Sequence, residues 1–488
     1  MRKAVLDLVL IGAVACAFAC SSGDDEPAPA GGSGGGGGAS GDGAGAMAGT
    51  GGVGGAGGTG GVGGAGGAGG AAGMTGGAGG MTGGAGGMTG GAGGMTGGAG
   101  GMTGDPPITE CDGVMLPPRA IATTTPHVIG PAAAGLPEYF PTDGWQSMSP
   151  EMLGLDPTKL DAAINFETMY STTQAIFVVR HGYVAAEEYF GGFTASTRHE
   201  SYSMAKSFSS ALIGIAIEQG KVASVDEKLC MYYPMDWDCA DTSDPRSRIT
   251  IKHAMNIQTG LEWSEDWRSN ATGTNDAVSA SIAGMLNTVL ARQAVEEPGV
   301  RMRYSTGDPA LLSGVFEMAT GKSALEYAQE VLFSKIGAMG IQWNSDFQGR
   351  TTTYAGLQAT ASEYAKFGYL YLNRGMWDGE QVVPAEWVDM TTQGDDPCVD
   401  WYRFLWHQNP PARLGTQDPS CDALYCPPTA FADLPPDTFF AEGVNGQLVF
   451  IIPSADMVVV RLANDAAGSE HWDDYSREFL GLVIDSVM

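Results

Sequence analysis

A stretch dominated by glycine, from residue 23 to about residue 104, limits what this chain can fold into more than any other feature. From Met74 the unit Met-Thr-Gly-Gly-Ala-Gly-Gly repeats, and methionine recurs at positions 81, 88, 95 and 102. A seven-residue period can indicate a coiled coil, but glycine at most positions is too costly in a helix. Collagen is excluded because glycine does not fall at every third residue. We therefore expect a flexible tether over residues 20–105 and a folded domain over residues 106–488.

The first residues have the features of an export signal. Arg2 and Lys3 are followed by a mostly apolar stretch, residues 4–19, that is too short to span a bilayer. The sequence Ala17-Phe18-Ala19-Cys20 resembles the lipobox of bacterial lipoproteins, which implies that Cys20 begins the mature chain and carries lipid. Ordinary cleavage after Ala19 is the alternative. The prediction is an exported lipoprotein, anchored in a membrane at the periplasm or cell surface.

The cysteine count agrees with an oxidising compartment. An even number of cysteines follows Cys20, which suggests disulfides, and the local pairs are Cys230–Cys239 and Cys421–Cys426. Sequence cannot choose among the fifteen or so possible pairings of six cysteines. Metal binding is disfavoured because neither Cys-x-x-Cys nor His-Glu-x-x-His occurs, so we expect no metal and no cofactor. The cysteines concerned are Cys111, Cys230, Cys239, Cys398, Cys421 and Cys426.

The charge balance excludes one class of partner. The chain has 25 Lys+Arg against 55 Asp+Glu, so its formal net charge is −30. Such a surface repels phosphate, and we therefore expect no nucleic-acid partner.

Hydrophobic patterns predict an α/β fold of the mixed α+β type. Residues 174–180 and 183–189 are apolar and β-branched around His181-Gly182, which indicates a hairpin. Residues 203–219 are apolar nearly all round, as expected for a core helix. Two more strands over 448–453 and 457–462 precede a closing helix over 470–487. We expect one antiparallel sheet, completed by both ends of the domain and flanked by helices, beside a mostly helical subdomain.

Serine-hydrolase motifs can be tested one by one. The only Gly-x-Ser-x-Gly match, at Ser33, lies in the glycine tether with no strand before it, so it is accidental. None of the six histidines lies in a recognisable triad motif. Ser203-Met204-Ala205-Lys206, by contrast, matches Ser-x-x-Lys and begins the predicted core helix.

The spacing of Ser203 and Lys206 suits nucleophilic catalysis. Residues i and i+3 share one helix face, so the amine can reach the hydroxyl. Burial and the positive end of the helix dipole both disfavour the ammonium form. A neutral Lys206 can then take the proton of Ser203, while the backbone N–H of Ser203 faces a developing oxyanion. A capping serine followed by a surface lysine is the alternative interpretation of the tetrapeptide alone.

Several further motifs make the chain resemble the serine β-lactamase and penicillin-binding superfamily. Within it, residues 140–488 look most like the class C-like esterases and the 6-aminohexanoate-dimer hydrolases. The motifs that carry this resemblance, besides Ser203–Lys206, are Ile249–His253 followed by Thr259–Trp263, then Tyr304-Ser305-Thr306, and Ala441–Gln447.

The resemblance implies a role for each matching position. Tyr304 would shuttle the proton between Ser203 and the leaving group, and Lys206 could lower its pKa. The backbone N–H groups of Ser203 and Val444 would form the oxyanion hole. The residues expected to contact substrate are Thr306, Gly443 and Asn445.

One departure from the family bears on the substrate. True β-lactamases carry a cation in the third motif, whereas Glu442-Gly443-Val444 has none. A site without that charge binds the β-lactam carboxylate poorly, which favours a small-molecule or peptide-like ester or amide. A non-hydrolysing penicillin-binding sensor and a D-amino-acid peptidase are the alternatives.

Other side chains near these motifs have less specific interpretations. Glu265 and Asp266 are expected to be solvated loop charges, with contact to a cationic group of the substrate as the alternative. Four tryptophans either line the cleft or anchor the core: Trp263, Trp267, Trp401 and Trp406.

Overall fold

A computed structural model describes residues 110–111, 114–115, 139–169, 172–265, 275–392, 402–409, 434–465 and 472–488. The described residues do not include the predicted signal peptide (1–19), Cys20 or the tether over 20–105. These features, and the start of the folded domain at residue 106, stay predictions. Over the described ranges, no helix combines the length and the apolar character needed to cross a membrane.

The bounds of the regular elements are as follows. The strands are β1 (Glu110–Cys111), β2 (Val114–Met115), β3 (Thr173–Arg180), β4 (Tyr183–Tyr189), β5 (His199–Glu200), β6 (Gln342–Trp343), β7 (Leu357–Ala359), β8 (Met376–Trp377), β9 (Glu380–Gln381), β10 (Tyr402–Arg403), β11 (Trp406–Gln408), β12 (Phe439–Gly443), β13 (Gln447–Ile452) and β14 (Met457–Ala463). The α-helices are α1 (Pro157–Thr168), α2 (Ala205–Glu218), α3 (Ile251–Met255), α4 (Asp276–Ala283), α5 (Met285–Leu290), α6 (Gly307–Ala310), α7 (Leu312–Thr320), α8 (Ala324–Ala328), α9 (Ala361–Leu372), α10 (Ala385–Thr392) and α11 (Trp472–Asp485).

A seven-stranded antiparallel sheet organises these elements, in the order β10-β11-β12-β13-β14-β3-β4. The hairpin β3–β4 joins the C-terminal strands through β14, where Val459 lies opposite Val178. The two ends of the domain therefore complete one sheet, and the predicted fold is confirmed.

Both faces of the sheet are covered, which explains why its strands are almost continuously apolar. Side chains alternate between the two faces. Ile176 and Val178 belong to the core formed with α1 and α11, whereas Phe177 and Val179 belong to the larger core on the other face. Helices α2 and α9 lie in that larger core, and the long helical stretch between β5 and β10 extends it.

Helix α2 is buried on nearly all sides, as its sequence predicts, but it begins two residues later than predicted, so Lys206 lies on α2 and Ser203 lies just before it. The regular α-helix starts at Ala205, because a 3₁₀ turn over Tyr202–Met204 precedes it. Phe208 anchors the helix, since its ring stacks on that of Phe367 with centroids 3.7 Å apart. The packing therefore fixes the end of α2 that bears the motif.

One predicted disulfide lies within the described residues. Cys230 and Cys239 are bonded, as the local pairing predicts. Cys421, Cys426 and Cys398 lie outside the described ranges, so that part of the pairing remains a prediction.

Replacing Phe208 by alanine should destabilise the domain strongly. The ring is fully buried, and its removal leaves a cavity that the close-packed neighbours cannot fill. We expect the free energy of unfolding to fall by about 3–5 kcal/mol, measured by denaturant unfolding. Phe347, which is 70% exposed, provides the matched control. If Phe208→Ala and Phe347→Ala lowered stability equally, this packing of α2 would be wrong.

Candidate active site

The serine of the motif follows an unusual backbone conformation. Tyr202 has a φ of 45°, in the left-handed region that a bulky residue seldom adopts. The surrounding contacts hold it there: its N–H donates to Glu200 Oε1 at 3.2 Å, and the N–H of Ser201 donates to the carbonyl of Leu357 at 2.8 Å. Strain of this kind persists only where neighbours over-determine the geometry, and it clusters at functional sites.

Ser203, Lys206 and Tyr304 converge on one oxygen atom. Lys206 Nζ donates to Ser203 Oγ at 2.7 Å, and the Tyr304 hydroxyl donates to the same atom at 2.9 Å. Lys206 Nζ also donates to the carbonyl of Tyr354 at 3.1 Å and lies 5.3 Å from the centroid of the Tyr304 ring. The structure thus brings together the three residues that the sequence nominated for catalysis.

Burial changes the protonation of the amine. Lys206 is almost wholly buried, and desolvation lowers its pKa to about 8, against an opposing effect from the negative charge of Glu265. At pH 7 about a tenth of the molecules then hold a neutral amine, far more than for a solvated lysine. A neutral amine 2.7 Å from a hydroxyl can accept its proton.

Glu265 is a buried carboxylate, and the expectation of a solvated loop charge was wrong. Its side chain accepts hydrogen bonds from Trp263 Nε1 at 2.8 Å and from the N–H of Thr306 at 2.7 Å. The Thr306 hydroxyl donates to the other carboxylate oxygen. These hydrogen bonds compensate for the burial of the Glu265 carboxylate, and they hold the backbone at Thr306, two residues after Tyr304.

The same bonds bear on the predicted substrate contact of Thr306. Its hydroxyl hydrogen goes to Glu265, so the geometry supports a structural task for this side chain rather than donation to a substrate. Asp308, which follows closely, is also buried and accepts from Ser305 Oγ at 3.0 Å. Burial raises the pKa of Asp308 to about 7, and the nearby Glu265 charge adds to that shift.

The third motif forms the hairpin between β12 and β13. Gly443 lies opposite Gln447, and Asn445 and Gly446 adopt φ values of 68° and 80°, which close the turn. A side chain at Gly443 would place its Cβ 2.1 Å from the carbonyl oxygen of Ser201, so only glycine allows this approach. The hairpin therefore touches the segment that carries Ser203.

Val444 and Asn445 lie in this turn, at the edge of the Ser203 segment. The side chain of Asn445 lies near that of Tyr202, the residue before the serine, and opposes the larger effect of burial, which raises the pKa of Tyr202. The predicted roles of Val444 in the oxyanion hole and of Gly443 and Asn445 in substrate binding stay predictions.

Glu200 holds two loops of the site together and was not predicted. Its Oε1 accepts the N–H of Tyr202 at 3.2 Å and the N–H of Gly356 at 2.8 Å. The second loop also supplies the Tyr354 carbonyl that accepts from Lys206. Desolvation raises the pKa of Glu200 to about 7, against the lowering effect of these bonds.

His407 and Glu442 occupy adjacent strands beside the hairpin. His407 Nδ1 lies 3.6 Å from Glu442 Oε2, and its ring stacks on Phe440. Burial, helped by the charge of Lys206, lowers the pKa of His407 to about 3, so the imidazole is neutral at physiological pH. With His407 neutral, the third motif gains no cation from this neighbour, in line with the absence of a cation from its sequence.

Sequence reasoning missed the supporting residues for different reasons. Glu200 and His407 carry no local signal, because their partners come from distant parts of the chain. Arg461 did carry one: a cation within the apolar strand Met457–Ala463 must have buried partners. Of the four tryptophans named from the sequence, Trp263 and Trp406 are buried anchors, whereas Trp267 and Trp401, like Asp266, lie outside the described ranges.

The part of the chain that the structure describes contains no group of three or more His, Cys, Asp or Glu side chains arranged to hold a metal ion. The geometry around Ser203 consists of a hydroxyl, an amine and a phenol, which suffice for acyl transfer.

Comparison with known proteins places this geometry in context. A profile of the family described as Beta-lactamase matches residues 170–480, which is more than half of the chain. A 6-aminohexanoate-dimer hydrolase of Paenarthrobacter ureafaciens is 22% identical over 369 residues, covering 70% of this chain and 87% of that protein.

Solved structures share the fold. A Bacillus anthracis protein provisionally titled a 6-aminohexanoate-dimer hydrolase gives a TM-score of 0.55 at 20% identity, covering 71% of this chain and 88% of its own. A penicillin-binding protein homologue of Caulobacter crescentus gives 0.50 at 14% identity, covering 68% and 99%. At these identities the likeness concerns the fold.

The stability difference between the wild type and Lys206→Met should depend on pH. A lysine in the unfolded chain has a pKa of about 10.4, whereas the pKa of buried Lys206 is about 8. The folded protein therefore binds fewer protons than the unfolded chain in this window, and wild-type stability rises with pH there. In urea unfolding, the wild type should carry the full free-energy cost of burying a charged amine, relative to Lys206→Met, below about pH 8. That cost should disappear by about pH 10.5, where the amine is neutral in both states.

A matched lysine separates this effect from general alkaline destabilisation. Lys221 is exposed just beyond the end of α2, so Lys221→Met is the control that removes a lysine without removing a buried amine. The same pH profile for Lys206→Met and Lys221→Met would contradict a depressed pKa of Lys206.

Proposed function

The chain belongs to the beta-lactamase family and is a serine hydrolase, and from that premise we propose that it cleaves a small ester or amide through an acyl-enzyme on Ser203. The observation that carries the proposal is the convergence of Lys206 Nζ and the Tyr304 hydroxyl on Ser203 Oγ, at 2.7 and 2.9 Å. A serine with no chemical task has no need of a desolvated amine, whose burial costs stability.

The reaction proceeds in two stages. Neutral Lys206 removes the Ser203 proton as Oγ attacks the carbonyl carbon of the substrate. The tetrahedral oxyanion is held by the backbone N–H groups of Ser203 and Val444. Tyr304 then gives its hydroxyl proton to the leaving alcohol or amine and regains a proton from protonated Lys206, so the acyl-enzyme forms with both groups neutral. Water attacks the acyl-enzyme with the same groups acting in reverse.

The charge of the third motif favours the substrate class. Glu442 stands where β-lactamases carry a cation, and its neighbour His407 is neutral. A substrate carboxylate at this edge would meet a negative charge, which disfavours penicillin-like molecules. The name of the Paenarthrobacter relative, a hydrolase of a 6-aminohexanoate dimer, supports an ester or amide substrate.

We also propose that the enzyme is an exported lipoprotein, tethered to a membrane through Cys20 by the glycine-rich stretch 20–105. The support is the sequence: a basic start, a short apolar stretch and small residues before Cys20, followed by repeats that cannot form a core. The enzyme would then act on substrates outside the cytoplasm.

Replacing Ser203 or Lys206 by alanine should abolish activity. We expect hydrolysis of a p-nitrophenyl ester, and labelling by a fluorophosphonate, to fall by about 10³-fold or more, as in nucleophile knockouts. Ser210→Ala is the matched control, because Ser210 is a buried serine of the same helix whose hydroxyl makes no hydrogen bond to Ser203, Lys206 or Tyr304.

The same assays separate the alternatives. Faster cleavage of a D-Ala-D-Ala peptide than of the ester would indicate a peptidase, and labelling without turnover would indicate a sensor. Ester cleavage that survives Ser203→Ala would overturn the assignment.

Replacing Cys20 should release the protein from the membrane. Because lipid is attached through the thiol, Cys20→Ala should lose incorporation of labelled palmitate and move from the membrane to the soluble fraction after cell fractionation. Cys16→Ala is the control, since Cys16 leaves with the signal peptide and its loss should change neither result. Palmitate incorporation that persists in Cys20→Ala would refute the lipoprotein.

A further inference from the structure

We propose that Arg461 is a positioning residue: with Glu167 and Asp465 it fixes the Val444–Gly446 turn, and thereby the Val444 N–H that completes the oxyanion hole. The inference rests on the function proposed above. It assigns a catalytic purpose to a buried ionic cluster that touches none of the reacting atoms.

Arg461 lies in the central strand β14 and is entirely buried. A guanidinium in such a position destabilises a fold unless every donor is paired, and an apolar residue would serve the core as well or better. Its Nε lies 3.0 Å from both carboxylate oxygens of Glu167, which is buried in α1. Glu167 in turn accepts from the Thr173 hydroxyl at 2.5 Å. One end of the guanidinium is thus tied to α1 and β3.

The other end of Arg461 reaches the turn of the third motif. Its Nη1 donates to the carbonyl oxygen of Gly446 at 3.2 Å and to Asp465 Oδ2 at 2.8 Å. Asp465 is itself held, because its Oδ1 accepts from the Thr172 hydroxyl at 2.6 Å. Two carboxylates therefore flank one guanidinium, so the cluster has one more acidic group than basic groups.

Asp465 completes the attachment through its backbone. Its N–H donates to the carbonyl oxygen of Asn445 at 3.0 Å, and Gln447 Nε2 donates to the same oxygen at 3.0 Å. A Cβ on Gly446 would lie 2.2 Å from Arg461 Nη1 and 2.3 Å from Asp465 Oδ2, so the cluster packs directly on the bare backbone. The last two carbonyls of the turn are both fixed from this side.

The opposite side of the turn faces the nucleophile. Gly443 packs on the Ser201 carbonyl, and the side chain of Asn445 lies near that of Tyr202. Val444 therefore stands between the ionic cluster and the Ser203 segment, and loss of the cluster frees one side of the turn. A displacement of about 1 Å in a catalytic group can cost about 10²-fold in rate.

The sheet contains a matched arginine at its other end. Arg180 in β3 is also buried, and it donates to the carbonyls of Gly154 at 2.6 Å and Ala455 at 3.2 Å, next to the β13–β14 turn. Because β12–β13 and β13–β14 turn at opposite ends of the antiparallel sheet, Arg180 supports the fold without touching the catalytic hairpin.

The experiment compares Asp465→Asn, Arg461→Met and Arg180→Met for turnover of a p-nitrophenyl ester, with the melting temperature measured for each. Asp465→Asn keeps the shape of the side chain and removes only the charge that faces Arg461. We therefore expect this variant to fold even if Arg461→Met does not, so the test stays decisive. We expect Asp465→Asn to lower kcat by about 10-fold or more with KM nearly unchanged, because a misplaced oxyanion donor weakens transition-state binding alone.

Arg180→Met should lower the melting temperature and leave kcat within about twofold of wild type. If Asp465→Asn kept full kcat, the cluster would be only structural and the inference wrong. The inference would also be wrong if kcat of Arg180→Met fell in parallel with its melting temperature, because kcat would then follow overall stability and not the cluster. Ser203→Ala in the same series keeps the two proposals apart: activity surviving that change would refute the acyl-enzyme itself, whatever the other variants do.

Discussion

The hydrogen bond between the Lys206 amine and Ser203 Oγ requires an amine that is buried away from water, although the charged form of an amine is most stable when it is hydrated. Desolvation lowers the lysine pKa, and the surrounding fold must supply the stability that this burial costs. The packing of the Phe208 ring on the Phe367 ring, together with the covered sheet, supplies this stability away from the reacting atoms. Glu265 moderates the effect, because its charge favours the ammonium form while its hydrogen bonds hold the chain after Tyr304.

What the sequence could predict is what short segments encode. The hairpin 174–189, the paired strands near the end and the apolar helix follow from local periodicity, and Ser-x-x-Lys is a local motif on that helix. Tyr304 and the third motif could be located only through resemblance to a family, since nothing local links Tyr304 to Ser203. Glu265 was misjudged because its partner Thr306 is far along the chain, and a carboxylate beside an unassigned loop looks solvated until that partner is in place.

The site combines two kinds of electrostatic environment. Around Ser203 the groups are an amine and a phenol, whereas the adjoining hairpin carries Glu442 beside a neutral His407. In the ionic cluster beside the hairpin, Arg461 pairs with both Glu167 and Asp465. The cluster reaches the turn through the backbone carbonyls of Asn445 and Gly446, so it acts on the position of the backbone.

The position of β14 in the sheet has a consequence for biosynthesis. This strand is made near the end of the chain, yet it lies between β13 and β3, so the N-terminal hairpin has no sheet to join until residue 463 has left the ribosome. Pairing across such a separation is slow, because a long loop must close before any contact rewards it. Until then the apolar edge of β3 stays open to pairing with other chains, which makes this stage of synthesis the one most exposed to aggregation.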